Sequence, residues 1–227
     1  MSDLKNLTDI TSEKVKDKSG KIATSDFERN VLEAIKRYSR HRPNTSVVDV
    51  TGNGTHDYSL PTGWIEGFSS LVSIEYPVDN VPADYLDQED YEIYQTTTVK
   101  KVRLITYSPA ATDSFRVTFT IPRTDTTILD PDEDAVCNLA ASLCLEELAN
   151  VFIHSSDSSI AADSVDYRDK AYKASQRAKR MLQLYKEHLG IKEDDITPPA
   201  SAVKDLDMKY PGGAERLTHP RWRREKR

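Results

Sequence analysis

Histidines are the side chains most often used for metal binding and proton transfer, and this chain has five of them, spread along its whole length. None forms an HExxH pair or any other spacing typical of metal ligands. An isolated histidine is more often a surface or capping residue than a ligand. The sequence therefore predicts no metal site from its histidines, which are His41, His56, His154, His188 and His219.

Three other patterns could support chemistry, and each has a simpler structural interpretation. Gly52 and Gly54 lack the Lys-Ser/Thr pair of a phosphate loop and precede a strand, so they predict a turn. The acidic run 130–134 suits the positive end of a helix dipole. The serine-rich run 155–159 has no nucleophile motif, and serine is an ordinary turn former. We therefore expect no enzyme and no cofactor; an active site assembled from scattered residues stays a third hypothesis.

The two cysteines, Cys137 and Cys144, are seven residues apart in a helical pattern. They share a face, but at about 1.5 Å per residue they stand roughly 10 Å apart, too far for a disulfide. We expect both to be reduced core residues.

The elements around these residues are two amphipathic helices, predicted near 132–154 and 164–189 and joined by the serine-rich turn, with Gly190 as the stop. The small-residue seam of the second helix permits close approach of the first, which predicts an antiparallel hairpin. The apolar stripe of the first helix is Val136, Leu139, Ala140, Leu143, Leu148, Val151 and Phe152. The seam of the second is Tyr167, Ala171, Ala174, Ala178, Met181, Leu182 and Tyr185.

The chain before this hairpin divides into two parts. Residues 1–24 alternate polar residues with isolated apolar ones, which predicts a flexible or partner-ordered arm. A helix near 26–42 follows, with Ser25 and Glu28 in the relation of a capping box. This helix is expected to be the third member of a bundle.

Between residues 45 and 123 the pattern changes from helical to alternating, and six strands are predicted. The turn signal at Gly52 and Gly54 predicts that the first two strands form a hairpin. A second hairpin is predicted where Tyr91 and Ile93 face the strand of Val102 across a threonine-rich turn. The predicted strands are 47–50, 55–60, 70–76, 91–95, 99–107 and 114–121.

The predicted fold class is therefore α+β, a helical bundle with an inserted antiparallel β module and extended terminal arms. The bundle core comprises 25–43 and 131–190, and the β module 45–123. With 227 residues, 37% of them hydrophobic, the chain suits one core domain with an appendage. No membrane span or signal-like start is evident, so we expect an intracellular protein without a membrane partner.

Residues 191–227 are predicted to form an extended C-terminal docking arm. From residue 216 onward, six Lys/Arg and one Glu give +5, so with a total of −6 the rest of the chain carries −11. A basic tail is often a nucleic-acid arm, but the apolar residues within it favour protein docking. The docking candidates are Leu217, His219, Pro220, Arg221, Trp222, Arg223 and Arg224.

Several segments together resemble the head-to-tail adaptor, or connector, proteins of tailed bacteriophages, over roughly residues 27–224. None is a catalytic signature, so the resemblance depends on their number and order. The segments are Asp57-Tyr58-Ser59-Leu60-Pro61, Gly63-Trp64, 73–78, Val81-Pro82, Tyr85-Leu86, 158–168 and 216–220.

This resemblance implies a structural virion protein of the neck, assembled in the host cytoplasm. It would form a ring, usually dodecameric, beneath the portal protein, extend the DNA channel and carry the tail or nozzle proteins. Genomic DNA would pass through the lumen without sequence-specific binding. The chain departs from the smallest adaptors, which are mostly helical, by its large β insertion.

An acidic body suits such a conduit, since lysines along a channel would hold the phosphates. The second hairpin helix is too basic outside its seam to serve only the core, so we expect it also to face a neighbouring subunit. The ring-interface candidates are Arg168, Tyr172, Arg177 and Arg180. The competing hypothesis is a nucleic-acid-binding protein that contacts phosphates with its basic tail.

Overall fold

The computed structural model describes residues 3–154 and 161–191, without the side chains of 161–168. The predicted α+β class is confirmed: four helices and six strands are present in these residues. The helices are α1 (Leu4–Val15), α2 (Thr24–His41), α3 (Glu133–His154) and α4 (Ala161–Leu189). The strands are β1 (Asn44–Thr51), β2 (Asp57–Ser59), β3 (Leu71–Glu75), β4 (Tyr91–Gln95), β5 (Lys100–Leu104) and β6 (Ser114–Ile121).

Helix α3 is the centre of the bundle, because the other three helices all pack on it. Its first half is buried on every side, as expected of a helix that is apolar all round. The stretch Asp130–His154 is long and apolar enough to cross a membrane, yet 67% of its most apolar window is buried inside the protein. This helix therefore owes its composition to its central position in the core.

Helix α4 contacts α3 through the small-residue seam that the sequence predicts. Ala171, Ala174, Ala178 and Tyr185 are all buried in it. The C-terminal end of α4 lies beside the N-terminal end of α3, where His188 meets Asp132, so the two helices are antiparallel. The predicted hairpin is confirmed.

Helix α1 is a helix that the sequence did not predict. The prediction of a flexible arm over 1–24 is wrong for residues 4–15, which form a helix packed on α2 and α3. Leu7 and Val15 are 0% and 2% exposed, and the hydroxyls of Thr8 and Thr11 donate to carbonyls one turn back. The isolated apolar residues of this segment are sufficient because the bundle supplies the rest of the core.

Helix α2 begins at Thr24, earlier than predicted, and its start is not capped by Ser25 and Glu28. Instead a carboxylate oxygen of Asp26 accepts a hydrogen bond from the backbone N–H of Ala23 at 3.2 Å. Phe27, Val31 and Tyr38 are buried, as the helical spacing predicts.

The β module consists of two three-stranded antiparallel sheets, with strand orders β1-β6-β3 and β2-β5-β4. They share one core, which includes Tyr58, Ile74, Val102, Phe115 and Phe119. The predicted β4–β5 hairpin is confirmed, with Ile93 opposite Val102.

The predicted β1–β2 hairpin is wrong, because β1 pairs with β6 along its whole length and β2 pairs with β5. Gly52 and Gly54 instead donate their N–H groups to the carbonyls of Asp113 and Pro109, each at 2.8 Å. A side chain at position 52 would lie 2.2 Å from the carbonyl oxygen of Ala110. The glycine at 52 thus allows the close backbone approach that turns the chain from one sheet to the other.

Candidate functional site

A buried carboxylate at the start of α3 is the centre of an extensive polar site. Asp132 is 1% exposed and accepts a hydrogen bond from the hydroxyl of Tyr38 at 2.6 Å. Nη1 of Arg42 lies 2.9 and 2.7 Å from its two carboxylate oxygens, and Nε2 of His188 lies 2.8 Å from Oδ1. These four residues, the Asp132 cluster, bring together the ends of α2, α3 and α4.

Electrostatics favour the charged form of this carboxylate. Burial alone raises the pKa of Asp132, but the hydrogen bonds from Tyr38, His188 and Arg42 more than offset it, and the pKa lies below its usual value. Burial, with the neighbouring carboxylate, raises the pKa of Tyr38 to about 12. Neither the carboxylate of Asp132 nor the hydroxyl of Tyr38 is suited to proton transfer near neutral pH. The cluster is therefore suited to holding the three helices together.

The Asp132 cluster lies where the β module joins the bundle. Arg123 follows β6 and donates to the backbone carbonyls of Arg42, Pro43 and Thr127, at 2.7, 3.2 and 2.5 Å. Its own N–H donates to the hydroxyl of Ser39 at 3.0 Å. The chain passes between the bundle and the β module twice, after α2 and after β6, and the side chain of Arg123 contacts both connections. These contacts fix the orientation of the β module. We call the region that contains Arg123 and the Asp132 cluster the junction.

Two further arginine clusters lie on the outer faces of the sheets. Arg116 contacts Asp49, Glu75 and Asp79, all on strands or loops beside its own. Arg103 pairs with Asp57 at 2.6 Å and lies over the ring of Tyr94. The hydrogen bond from Arg103 lowers the pKa of Asp57. These groups satisfy one another.

The described residues offer little for catalysis or metal binding. Within 3–154 and 169–191, where the structure describes the side chains, no group of three or more His, Cys, Asp or Glu residues could hold a metal ion. Cys137 and Cys144 are buried and free, as predicted, and burial raises the pKa of each thiol to about 11. Such thiols are inert rather than nucleophilic.

Exposed apolar side chains mark a first candidate contact surface on the hairpin. Ile153 and Tyr172 are 57% and 64% exposed and line a shallow depression of about 570 Å³. We call them the hairpin patch. Ile153 lies 21 residues along the helix from Asp132, a distance of about 32 Å. The hairpin patch is therefore at the end of the bundle remote from the junction.

A second such surface lies on the loop after β3. Val81 and Tyr85, the loop patch, are 98% and 64% exposed. The loop is anchored, since Tyr76 and Leu86 donate backbone hydrogen bonds to Asp84 and Ile74. It leaves the sheet beside Arg116, five residues from the junction end of β6, or about 17 Å along the strand. The junction therefore separates the two exposed apolar patches.

The structure describes only some of the predicted contact residues. The docking candidates from Leu217 to Arg224 lie outside the described residues, as does the side chain of Arg168. Tyr172 and Arg180 are exposed on α4. Arg177 instead donates to the last carbonyls of α1, at 3.1 Å to Val15 and 2.6 Å to Lys14, so its guanidinium binds within the subunit.

The local sequence pattern predicts neither the Asp132 cluster nor the role of Arg123. The acidic run 130–134 predicts only the start of a helix, although Asp132 is buried and the other carboxylates are not. A usable signal was the presence of Arg42 at the end of a helix immediately before a strand, since an arginine there has few apolar contacts to make. The identity of its partner depends on the tertiary fold.

No protein-family model matches this chain, and no curated protein is similar to it in sequence. Solved structures with limited similarity include the following two. One is a chain in the neck of an empty gene transfer agent particle computed with C6 symmetry, with 12% identity and a TM-score of 0.26; the match covers 53% of this chain and 66% of that one. The other is a chain in the virion of a native gene transfer agent particle, with 9% identity, a TM-score of 0.29 and coverage of 61% and 76%. TM-scores this low establish neither a shared fold nor a function.

Proposed function

We propose that this chain is a structural subunit of the neck of a phage-like particle, a head-to-tail adaptor that forms a ring beneath the portal and extends the DNA channel. The observation that carries the proposal is the pair of exposed apolar patches on either side of a rigid junction. An adaptor has to bind different proteins with separate surfaces held in a fixed relation. The resemblance of segments between residues 57 and 220 to adaptor sequences agrees with this role.

In this proposal the hairpin patch provides the lateral contact of the ring. Tyr172 supplies an aromatic anchor, a residue type enriched in interface cores. The other proposed ring-interface residues, Arg168 and Arg180, belong to the same helix, four residues before and eight residues after Tyr172. In a heterologous contact, different surfaces of neighbouring subunits meet, and a closed ring forms when the rotation between successive subunits returns to the first one. We assign a dodecamer.

The remaining partners follow from charge and from the loop patch. The loop patch would contact the tail or nozzle proteins, while the C-terminal arm, with Leu217 and Trp222, would dock on the portal. The net charge of −11 outside the last twelve residues suits a channel that lets DNA pass without holding it. The protein would then be a virion component that assembles in the host cytoplasm.

Electron microscopy of the protein mixed with a candidate portal tests the ring. We expect a ring at the narrow end of the portal. Two matched substitutions separate the patches: Tyr172→Asp should abolish the ring, whereas Val81→Asp should leave it intact and weaken attachment of the tail. Monomers under every partner condition, or equal behaviour of the two variants, would contradict the proposal.

Deletion of residues 216–227 tests the arm against the nucleic-acid hypothesis. The shortened subunit should fold and still fail to dock on the portal. DNA binding that weakens steeply with salt, and disappears on deletion, would instead favour phosphate contacts by the tail. Unchanged docking of the shortened subunit would show that the arm has no such role.

A further inference from the structure

A groove at the remote end of the bundle is separate from both patches used above. It has a volume of about 410 Å³ and lies between the α1–α2 loop and the hairpin. Its walls include the apolar side chains of Val15, Leu145, Leu148, Phe152 and Ala174. The groove is therefore suited to apolar side chains rather than to a small polar ligand.

The rim of this groove is strongly basic. The α1–α2 loop contributes three lysines and α4 three more cations, against a single lining carboxylate, Asp17. That carboxylate is directed inward, because it accepts hydrogen bonds from the backbone N–H groups of Ser19, Lys21 and Ile22. These bonds order the loop. On α4, Arg177 donates to the carbonyls of Lys14 and Val15, and Lys173 pairs with Asp169, so the cations considered for a ligand are those of the loop, Lys16, Lys18 and Lys21.

An apolar groove with a cationic rim is complementary to a segment that combines carboxylates with apolar side chains. The chain contains such a segment beyond the described residues. Asp205, Leu206, Asp207 and Met208 alternate the two types, within a stretch, 192–215, that has six acidic and three basic residues.

The length of chain selects this segment over the other acidic one. Leu189 ends α4 about 22 Å from Ala174, at about 1.5 Å per residue. The acidic residues 193–195 follow too closely to cover that distance, because Asp195 is only four residues beyond Ile191, which packs on the bundle core at this end of α4, and four residues span at most about 14 Å. Residues 205–208 have about fifteen residues in which to return, enough for roughly 50 Å. A tether of this length also gives the segment a high effective concentration at its own groove.

We infer that the groove between the α1–α2 loop and the hairpin binds residues 205–208 of the same chain. Leu206 and Met208 occupy the apolar walls, and Asp205 and Asp207 pair with the lysines of the rim. The contact does not depend on ring formation, so it can hold or fail independently of the proposed adaptor function.

Zero-length carbodiimide cross-linking of the full-length protein, followed by mass spectrometry, tests this contact. We expect amide links from Asp205 or Asp207 to Lys16, Lys18 or Lys21. A mixture of ¹⁵N-labelled and unlabelled protein should give links within one isotope only. Mixed-isotope links would overturn the assignment to the same chain, and links only to lysines elsewhere would overturn the groove.

Charge reversal provides a second measurement on folded protein. Lys18→Glu with Lys21→Glu should increase trypsin cleavage after Lys204 and Lys209 by about threefold to tenfold, since exposed pairs are individually weak. The matched control, Lys5→Glu with Lys179→Glu, makes the same charge change at exposed sites on α1 and α4 away from the groove and should have no effect.

Restoring the complementary charges completes the test. Adding Asp205→Lys and Asp207→Lys to the groove variant should return cleavage near residues 204–209 to the wild-type rate, measured at sites common to both proteins. Equal cleavage in all variants would overturn the inference. Acetylation of the rim lysines provides a further control. The inference would also be overturned if a short DNA duplex protected these lysines while Asp205→Asn with Asp207→Asn left the reactivity of the lysines unchanged. The rim would then be a phosphate site.

Discussion

The helical bundle and the β module both contain arginine–carboxylate clusters, but the clusters occupy opposite environments. In the bundle, Asp132 is 1% exposed and joins three helices that are far apart in sequence. In the module, Arg116 is on the outer face of a sheet, and its partner Asp49 is half exposed and belongs to a strand already paired with its own. The buried cluster therefore determines how elements are arranged, whereas the surface cluster reinforces an arrangement that the backbone has already fixed.

This difference shows that one kind of interaction has two energetic roles. A buried carboxylate has lost its water and depends on its protein partners, so removing its charge leaves donors without acceptors. An exposed carboxylate retains water as an alternative partner. The same chemical change should therefore have very different consequences at the two sites.

The largest effect is expected for Asp132→Asn. The amide cannot accept all four hydrogen bonds, and the charge of Arg42 loses its partner, so we expect a loss of about 3 kcal/mol in the free energy of unfolding. Urea denaturation measures it. The matched control is Asp130→Asn, an exposed neighbour two residues away, for which the loss should be below about 0.5 kcal/mol. Similar losses for the two variants would show that burial at 132 is not important.

The same cluster predicts a pH dependence. Because the pKa of Asp132 is lower in the folded protein than its unfolded value of about 3.9, its contribution is present above that value. It is lost as the pH falls through the folded pKa. Stability measured from about pH 5 downward should therefore fall less steeply in Asp132→Asn than in the wild type. Parallel curves would contradict this assignment.

An intermediate effect is expected at the turn that the sequence assigns to the wrong strand pair. In Gly52→Ala the new methyl group would lie 2.2 Å from the carbonyl oxygen of Ala110 and 2.5 Å from that of Pro109, both backbone atoms. We expect a loss of more than about 2 kcal/mol. Gly54→Ala is the control, because it has a φ of 72° but open space around it, and should cost about 1 kcal/mol. Thermal unfolding of both variants measures these two losses. A larger loss for Gly54→Ala than for Gly52→Ala would indicate a simple hairpin turn.

The smallest effect is expected for Asp49→Asn, the surface counterpart of Asp132→Asn. Arg116 keeps Glu75 and Asp79 as partners, so the loss in unfolding free energy should stay below about 1 kcal/mol. It should decrease further in high salt, because exposed charges are screened. Urea denaturation at two salt concentrations measures both. A loss equal to that at Asp132 would remove the contrast between the two clusters.

The sequence predicted the β4–β5 hairpin correctly and the partner of β1 incorrectly, and the reason is separation along the chain. Val102 faces Ile93 across a short turn, so local pattern and pairing agree. Val48 instead pairs with Val117, nearly seventy residues away, and no local signal specifies that choice. The glycines at 52 and 54 indicated a change of direction without indicating which strand would follow.

Local pattern also decided which candidate residues could be recognised. Tyr172 was identifiable because an aromatic residue outside the apolar seam of α4 has no place in the core. Arg177, on a neighbouring turn, looked equivalent in sequence, yet its guanidinium binds carbonyls of α1. Helix α1 itself escaped prediction because Leu7 and Val15 form a sufficient apolar face only when α2 and α3 complete the core.

The sequence by itself determined the type and approximate limits of three helices and six strands, because apolar periodicity and turn residues act over a few positions. It also determined the inert character of the two cysteines, through their spacing and lack of ligands. The tertiary structure alone decided which strands pair, that residues 4–15 belong to the core and that Asp132 is a buried anchor. Those outcomes depend on contacts between residues far apart in the chain, whose free energy no local pattern contains.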